Sequence, residues 1–431
     1  METIFASSNQ YVSAIKIIRI SGPQAKKIPK IFNFDRIKPK TFQVRKLKYN
    51  QKTIDTVPVV WLPGPKTYTG EDIYELHIHG AASIEEKIYS ILLNERNFRI
   101  ADKGEFTKRA VLNGRIDLTQ AEAVNDLINS ETEKQLELAN SILDGDLKQI
   151  LFQWREQIIK LSSNIEALID FSDEDIPEGV DSHFKKTLNS LIDQIRESLK
   201  FSSYSRSIRN GFIVSIIGKP NVGKSSLMNS IIDKNVSIVT NIAGTTRDLI
   251  EYKKNLNGFA VYFNDTAGIR ETDSLIEEEG IKKTKEIILN SDIILNLSDK
   301  GEFTLPFELK KLKTINISTK SDLNSRNFKN QDISISVKHN KGIKQLLNMI
   351  FNKLKELEPN EPTMLSNLRQ INGVKKALKA LKRIKNLSLK KETELVAEEL
   401  RLSSSAISNI TSVVDIDEIL DEIFNKFCIG K

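Results

Sequence analysis

The residues with the clearest chemistry run from Gly218 to Ser226, in the order Gly-Lys-Pro-Asn-Val-Gly-Lys-Ser-Ser. Gly218 and Gly223 let the backbone wrap closely enough for its N–H groups to face a phosphate at a helix N-terminus. Asn221, Val222, Gly223, Lys224, Ser225 and Ser226 are therefore candidate nucleotide contacts, with Lys224 reaching the β- and γ-phosphates and the Ser225 hydroxyl holding Mg²⁺. Two later groups suit the same site. Asp265-Thr266-Ala267-Gly268 offers a carboxylate to steady Mg²⁺ and a glycine to approach the γ-phosphate, and Gly244-Thr245-Thr246-Arg247-Asp248 offers the Thr246 hydroxyl to complete the metal shell. Farther on, Thr319-Lys320-Ser321-Asp322 places a carboxylate that can accept both ring N–H groups of guanine, a test that adenine fails. Ser336 precedes Val337 and Lys338, which offer a backbone cap on the guanine oxygen.

Chemistry of this kind needs elements to hold it. Phe212 to Ile217 is an apolar, β-branched run of strand length, and Leu227, Met228, Ile231 and Ile232 follow the glycine loop at helical spacing. Strand, glycine loop and helix form the context that separates a phosphate site from an ordinary turn. Val261 to Phe263, Thr314 to Ser318 and Ile333 to Ser336 read as further strands, each leading into one of the other groups. In this order the motifs describe an α/β GTPase domain over residues 211–356.

Residues 1–118 read as a separate α+β domain, with strands at Ala14 to Ile20 and Val57 to Leu62. From Ile73 to His79 the residues alternate, so that Tyr74, Leu76 and Ile78 face a core while Glu75, His77 and His79 face a surface or a site. Two histidines so spaced fit hydrogen bonding better than metal, since no third ligand accompanies them. Thr119, with Glu122 three residues on, is expected to cap the first of several helices that fill residues 119–210. Ile150, Leu151, Trp154, Ile158, Leu161, Ile165 and Leu168 form its buried stripe, and an acidic break runs from Ser172 to Gly179. Helices return over residues 357–431, so the GTPase domain reads as an insertion into one helical domain. There Val374, Ala377, Leu378, Leu381 and Ile384 make an apolar face and Lys375, Lys376, Lys379, Lys382 and Arg383 the remainder. A basic helix face is ordinarily just solvated, with a role toward RNA left open.

The 431 residues include 64 basic and 57 acidic ones, a net charge of +7 that suits RNA or another polyanion without demanding it. Cys428 is the only cysteine, which leaves no disulfide framework or cysteine metal cluster. Lys16 and Arg19 interrupt the best N-terminal apolar run, and no stretch approaches the length that spans a membrane. A reducing, cytoplasmic setting is expected.

Taken together the chain resembles the bacterial tRNA-modification GTPase family called MnmE or TrmE, over essentially its whole length. Beyond the GTPase motifs, the likeness rests on Arg19-Ile20-Ser21-Gly22, on Thr69-Gly70-Glu71-Asp72 with Glu75 to Gly80, on Gly104 through Ala123, and on the terminal Phe427-Cys428-Ile429-Gly430-Lys431. The resemblance implies a folate-binding N-terminal domain, a helical domain carrying a Ras-like P-loop GTPase domain, and a homodimer. It further implies a flavin- and NADH-using partner of the MnmG or GidA type and modification of the wobble uridine of certain tRNAs at carbon 5. The added group is aminomethyl or carboxymethylaminomethyl, with its carbon from 5,10-methylene-tetrahydrofolate. By motif position Arg19, Glu75, Arg115 and Lys431 are the folate contacts, for which 5-formyltetrahydrofolate is a suitable probe. Glu75 would accept from the pterin, and the cations would neutralise the glutamate tail. Cys428 is left unassigned.

Ras-type domains orient the attacking water with the residue after Asp-Thr-Ala-Gly. Here that residue is Ile269, which has no hydrogen-bonding group. Something else must supply positive charge, and the resemblance implies K⁺ held by Asn221 and the segment Thr240 to Thr245, with Thr240, Ile242 and Thr245 as ligands and pairing of two GTPase domains. It also implies Glu277 as the water-orienting residue, although Glu277 to Glu279 could simply be an acidic helix start favoured by the dipole. The chain departs from the family at Ser7 to Tyr11, where a glycine-rich segment is usual, at Ala81 for glycine, at Thr319 for asparagine and at Val337 for alanine. The competing readings are a GTP-driven RNA-binding or ribosome-assembly factor without modification chemistry, and a regulatory switch acting on protein partners.

Overall fold

The computed structural model describes the chain except at residues 1, 10–12, 171–179, 232–250, 266–287, 304–312, 324–327, 360–362, 413–422, 425–426, 428–429 and 431. The chain divides into two units, one of Met1–Ile128, Ile142–Arg155 and Ser405–Lys431, the other of Asn129–Ser141 and Glu156–Ser404.

The first unit holds β1 (Thr3–Ser7), β2 (Ile15–Ser21), β3 (Gln43–Tyr49), β4 (Lys52–Leu62), β5 (Ile73–His79) and β6 (Phe98–Ile100). They form one sheet in the order β3-β4-β5-β2-β1-β6, antiparallel throughout except where β6 runs parallel to β1. Its core gathers Phe5, Ile18, Ile20, Phe32, Leu47, Val57, Val59, Leu76 and Ile78 beneath the helix Ala82–Leu93. The alternation expected of β5 holds, with Tyr74, Leu76 and Ile78 buried. β3 gives little sequence signal because only Leu47 of its residues is buried and Arg45, Lys46 and Lys48 protect it as an edge strand.

The helix expected to start at Thr119 starts instead at Leu118 and runs to Ile128. Asp117 is the cap. Its Oδ1 accepts from the Gln120 N–H at 3.0 Å and the Thr119 hydroxyl at 2.6 Å, while Gln120 Oε1 accepts from the Asp117 N–H at 3.0 Å. A carboxylate two residues earlier thus forms the reciprocal box, with Gln120 in the role given to Glu122. Beside this helix, Val111, Leu118 and Ala121 pack with Phe424 and Phe427 from far along the chain. Gly104, at φ +64°, permits that approach, since a Cβ there would lie 2.9 Å from Phe424 Cβ.

The helix Asp146–Asp170 buries Leu151, Trp154, Ile158, Leu161 and Ile165, so the aromatic belongs to the core stripe. The next described helix, Val180–Lys200, begins ahead of Phe184. The acidic break from Ser172 to Gly179 lies outside the described residues.

The second unit contains a sheet of β7 (Phe212–Gly218), β8 (Glu251–Leu256), β9 (Phe259–Asp265), β10 (Ile293–Ser298), β11 (Lys313–Ser318) and β12 (Ile333–Ser334). The order is β12-β11-β10-β7-β9-β8, parallel except for the β8–β9 hairpin. The hairpin turns at Asn257-Gly258, both at positive φ, as its right-handed twist favours. Parallel strands buried on both faces need continuous apolar runs, and β10 is buried at every position. Chain order reverses at β7, flanked by β10 and β9, and a ligand crevice forms outside the strand C-termini at such a point. The described helices include none long and apolar enough to cross a membrane.

Candidate functional site

At the end of β7 the chain passes through Gly218, where a Cβ would sit 2.6 Å from the Leu297 carbonyl oxygen of β10. Only glycine allows the loop to start so close to its neighbour strand. Asn221 at φ +62° and Gly223 at φ +98° then turn the chain into the helix Lys224–Ile231, whose first hydrogen bond runs from the Leu227 N–H to the Gly223 carbonyl at 2.9 Å. Lys224 is buried, and its Nζ donates to the carbonyls of Gly218 at 2.8 Å and Lys219 at 3.1 Å. The ammonium is thereby folded over the loop, next to a helix N-terminus that carries its own partial positive charge. Asn221 on this loop and Ser225 and Ser226 in the first turn of the helix are exposed, and Val222 is buried beneath them. Loop, lysine and hydroxyl together suit a polyphosphate with Mg²⁺: backbone N–H groups and one cation for the phosphates, Ser225 for the metal.

On the same sheet edge, β11 ends at Ser318 and the Thr319 N–H bonds the Ser298 carbonyl of β10 at 2.9 Å. Lys320, at φ +57°, donates to Asp299 Oδ2 at 3.0 Å, and that ammonium holds the Asp299 carboxyl below the usual carboxylate range. Ser336 Oγ donates to Asp322 Oδ1 at 2.7 Å. That hydroxyl, helped by the local backbone, keeps Asp322 ionised below the ordinary range. A carboxylate has about four acceptor sites, so one hydroxyl still leaves room for two N–H donors. Backbone bonds between Ser336 and Lys341 close the following turn around Val337. Thr319 is buried, and its hydroxyl oxygen finds no hydrogen-bond partner among the described residues.

The structure therefore brings Lys224, Ser225, Thr319, Lys320, Asp322 and Ser336 to the C-terminal edge of one parallel sheet. Asp265 closes β9 at the same edge by its backbone, level with Ile216. Thr240, Ile242, Thr245, Thr246, Thr266, Ala267, Gly268, Ile269 and Glu277 lie outside the described residues, as do Cys428 and Lys431. Asp299 and Glu302, which pair with Lys320 and Lys219, were not singled out by the sequence, for they belong to no phosphate or guanine motif.

The other candidate constellation sits on the antiparallel sheet. Arg19 and Glu75 are direct partners across β2 and β5, and Arg19 Nε donates to Glu75 Oε1 at 2.8 Å. The guanidinium carbon lies 5.8 Å from the centre of the Phe106 ring. Next to them Ser21 Oγ meets both the Thr69 hydroxyl and Glu71 Oε2 at 2.7 Å. Buried Arg109 forks between Glu71, at 3.0 and 3.1 Å, and Glu105, at 3.0 Å. Burial works against the Glu105 carboxylate, but hydrogen bonds from Arg99, the Asp102 N–H and Arg109 outweigh it and hold it below the usual range. Asn113 Nδ2 donates to the Thr69 carbonyl at 2.7 Å and Arg115 Nε to the Thr67 carbonyl at 3.0 Å. Residues 67–71 are thus fastened from two distant stretches at once, β2 at Ser21 and residues 109–115.

Arg19 and Glu75 are brought together directly, and Arg115 joins them through this loop. Gly430, adjacent to Lys431, packs so closely on the Ser7 carbonyl that a Cβ would not fit. His79 Nδ1 lies 2.9 Å from Asp55 Oδ1, and His77 faces the Phe42 ring edge-on at 5.0 Å, so each histidine has its own neighbour. Arg109, Glu71 and Glu105 are functional-site builders that the sequence reading missed. The i, i+4 spacing of Glu105 and Arg109 could have suggested that one pair, but nothing in the sequence tied Glu71 to it.

A family model described as "GTP-binding protein TrmE N-terminus" matches residues 3–115, and one described as "MnmE helical domain" matches residues 118–428. The "tRNA modification GTPase MnmE" of Brucella suis (strain ATCC 23445 / NCTC 10510) is 38% identical over 442 residues, covering 100% of this chain and 98% of the relative. That of Rickettsia rickettsii (strain Sheila Smith) is 38% identical over 459 residues, covering all of both chains. Among solved structures, the FeoB G-domain from Methanococcus jannaschii is 20% identical and covers 33% of this chain and 98% of its own, at a TM-score of 0.26, too low to carry weight. With two family models meeting near residue 116 and full-length relatives well above 30% identity, this chain belongs to the MnmE family of tRNA modification GTPases.

Proposed function

We propose that this chain hydrolyses GTP in the service of tRNA modification. The observation that carries the reading is the convergence of the phosphate loop with Lys320, Asp322 and Ser336 on one sheet edge, in a chain whose full-length relatives are tRNA modification GTPases. Lys224 and the loop N–H groups hold the β- and γ-phosphates. Asp322, oriented by Ser336, accepts from guanine, and Ser225 with Thr246 holds Mg²⁺. Thr240 and Thr245, and Asp265, Thr266, Ala267 and Gly268 at and after the end of β9, complete the nucleotide contacts.

The finer reading is a potassium-activated hydrolase. Ile269 cannot orient water, so Glu277 takes that role, and K⁺ bound by Asn221, Thr240, Ile242 and Thr245 supplies positive charge at the transition state. Residues 1–118 bind a reduced folate through Arg19, Glu75, Arg115 and Lys431 and mediate homodimerisation. The direct Arg19–Glu75 ion pair favours one shared end of the ligand for these two residues, rather than opposite ends. Residues 119–210 and 357–431 form the helical domain around the GTPase domain at 211–356. A flavin-dependent partner of the MnmG type completes the wobble-uridine chemistry, in the cytoplasm.

Single-turnover hydrolysis in potassium and in sodium, on wild type, Asn221→Ala and Glu277→Ala, tests the catalytic part. An arginine finger is worth about 10³–10⁵ in rate, and the cation replaces one, so a large potassium preference that Asn221→Ala abolishes is the expected result. Equal rates in the two salts would refute the cation's role, and a fully active Glu277→Ala that of the glutamate. Mass spectrometry of tRNA wobble nucleosides with and without this gene decides between a modification enzyme and a GTP-driven assembly factor.

A further inference from the structure

The helix Leu368–Ile384 presents a charge pattern that neither nucleotide nor folate uses. Between residues 362 and 391 there are nine basic residues and no acidic one. The whole chain carries +7, so the rest of the molecule sums to 7 − 9 = −2. The helix buries Ile371, Val374, Ala377, Leu378, Leu381 and Ile384, and its capping box at Asn367 and Gln370 fixes where it starts. The opposite face shows Lys375, Lys376, Lys379 and Lys382 to solvent, followed by Lys385.

Several exposed cations on other helices are neutralised along their own helix. Lys185, Arg196 and Arg401 each pair with a carboxylate three or four residues away on their own helix. Arg383 pairs with Glu399 at 2.9 Å. Lys375, Lys376, Lys379, Lys382 and Lys385 make no ion pair with any described residue. Like charges three and four residues apart repel by a few tenths of a kcal/mol per pair. The helix dipole accounts for cations in the last turn, at Lys382 and Arg383, but not for those at the middle, at Lys375, Lys376 and Lys379. Lys375, Lys379 and Lys382 fall on one stripe about 10 Å long at the helical rise, along a shallow groove of about 490 Å³ floored by Leu378.

Resting on the tRNA reading above, we propose that this stripe docks the sugar–phosphate backbone of the tRNA. The apolar face of the helix is consumed by the protein core, so it cannot enter a bilayer as an interfacial helix would. Lysines, as flexible point charges, suit a run of phosphates, whereas bidentate recognition of carboxylates calls for arginine. Apolar ground between the cations offers contact to ribose.

The test is the affinity of the full chain for a tRNA transcript, measured by fluorescence anisotropy as salt rises from roughly 50 to 200 mM. The proteins are wild type, Lys375→Gln/Lys379→Gln/Lys382→Gln and the matching triple arginine variant. Each lost phosphate contact lowers the slope of log K against log salt by about 0.7–0.9, so the glutamine variant should be flatter by about two to three and bind on the order of a hundredfold more weakly near 0.1 M salt. The arginine variant should keep the wild-type slope. All three should hydrolyse GTP alike without RNA and melt alike, since the three side chains are exposed. A glutamine variant with the wild-type slope would overturn the docking surface and leave the tRNA reading intact. If that variant instead lost binding to poly-glutamate alone, the stripe would serve an acidic protein and the proposal would fall. Wild-type protein that binds no tRNA would overturn both.

Discussion

The phosphate loop and the Arg19–Glu75 region solve the problem of placing charge in opposite ways. The loop is contiguous: nine residues from Gly218 to Ser226 supply its turn, its N–H groups and its cation. Its geometry comes from backbone, with positive φ at Asn221 and Gly223 and a close approach at Gly218. The N-terminal constellation is dispersed, joining Arg19, Ser21, Glu71, Glu75, Arg99, Glu105 and Arg109 across some ninety residues of antiparallel sheet and helix. Its geometry comes from side chains that satisfy one another. A backbone-built site can change a side chain and keep its shape, whereas a side-chain-built site stands or falls with its members.

That contrast makes unequal demands on stability and activity. Arg109→Met leaves the Glu71 and Glu105 carboxylates without their shared buried partner, and removing one member of a buried ion pair costs about 3–5 kcal/mol. Urea unfolding, followed by hydrogen exchange of β1, β2 and β5, should show the loss confined to that sheet. A cost under about 1 kcal/mol would mean the network merely decorates a sheet held by its apolar core.

Lys224→Ala should do the reverse. The carbonyls of Gly218 and Lys219 can turn to water, so the melting temperature should hardly move, while single-turnover GTP hydrolysis falls by about 10²–10³, the scale for one lost transition-state donor. Unfolding of this variant would show that the lysine builds the loop as well as serving it.

The smallest effect is expected at the base. The Thr319 hydroxyl braces nothing among the described residues, so Thr319→Asn, with a longer amide able to reach the loop backbone, should tighten GTP binding. One neutral hydrogen bond is worth about 0.5–1.5 kcal/mol, hence up to about tenfold in Kd by calorimetry. Weaker binding would show that the loop has been rebuilt around threonine.

The same contrast decided what was legible in the sequence. The placement of Gly218, Gly223, Lys224 and Ser225 in a strand–loop–helix turn could be read because it depends on close neighbours in the chain, and β7 could be read because a buried parallel strand is an unbroken apolar run. The polarity of β5 was legible from its alternation. The Arg109 fork was not, because its partners lie 38 residues apart in one case, and no periodicity reports which carboxylate a buried guanidinium will choose. β1 and β6 were missed because short strands of five and three residues give too few positions to show a period. The cap at Asp117 was missed because Thr119 and Glu122 mimic the same box two residues later, and only the backbone at Leu118 decides between them.

The packing of Phe424 and Phe427 on Val111, Leu118 and Ala121 has a consequence for the order in which the molecule is made. From Ala121 to Phe424 the ribosome must add 424 − 121 = 303 residues. At about 5–20 residues per second, that takes about 15–60 s. Through this interval the first-made sheet can close its own core, yet the apolar patch beside Gly104 waits for aromatics not yet synthesised. A nascent chain stalled after the GTPase domain should therefore bind hydrophobic chaperones at that patch and release them once Phe424 and Phe427 emerge.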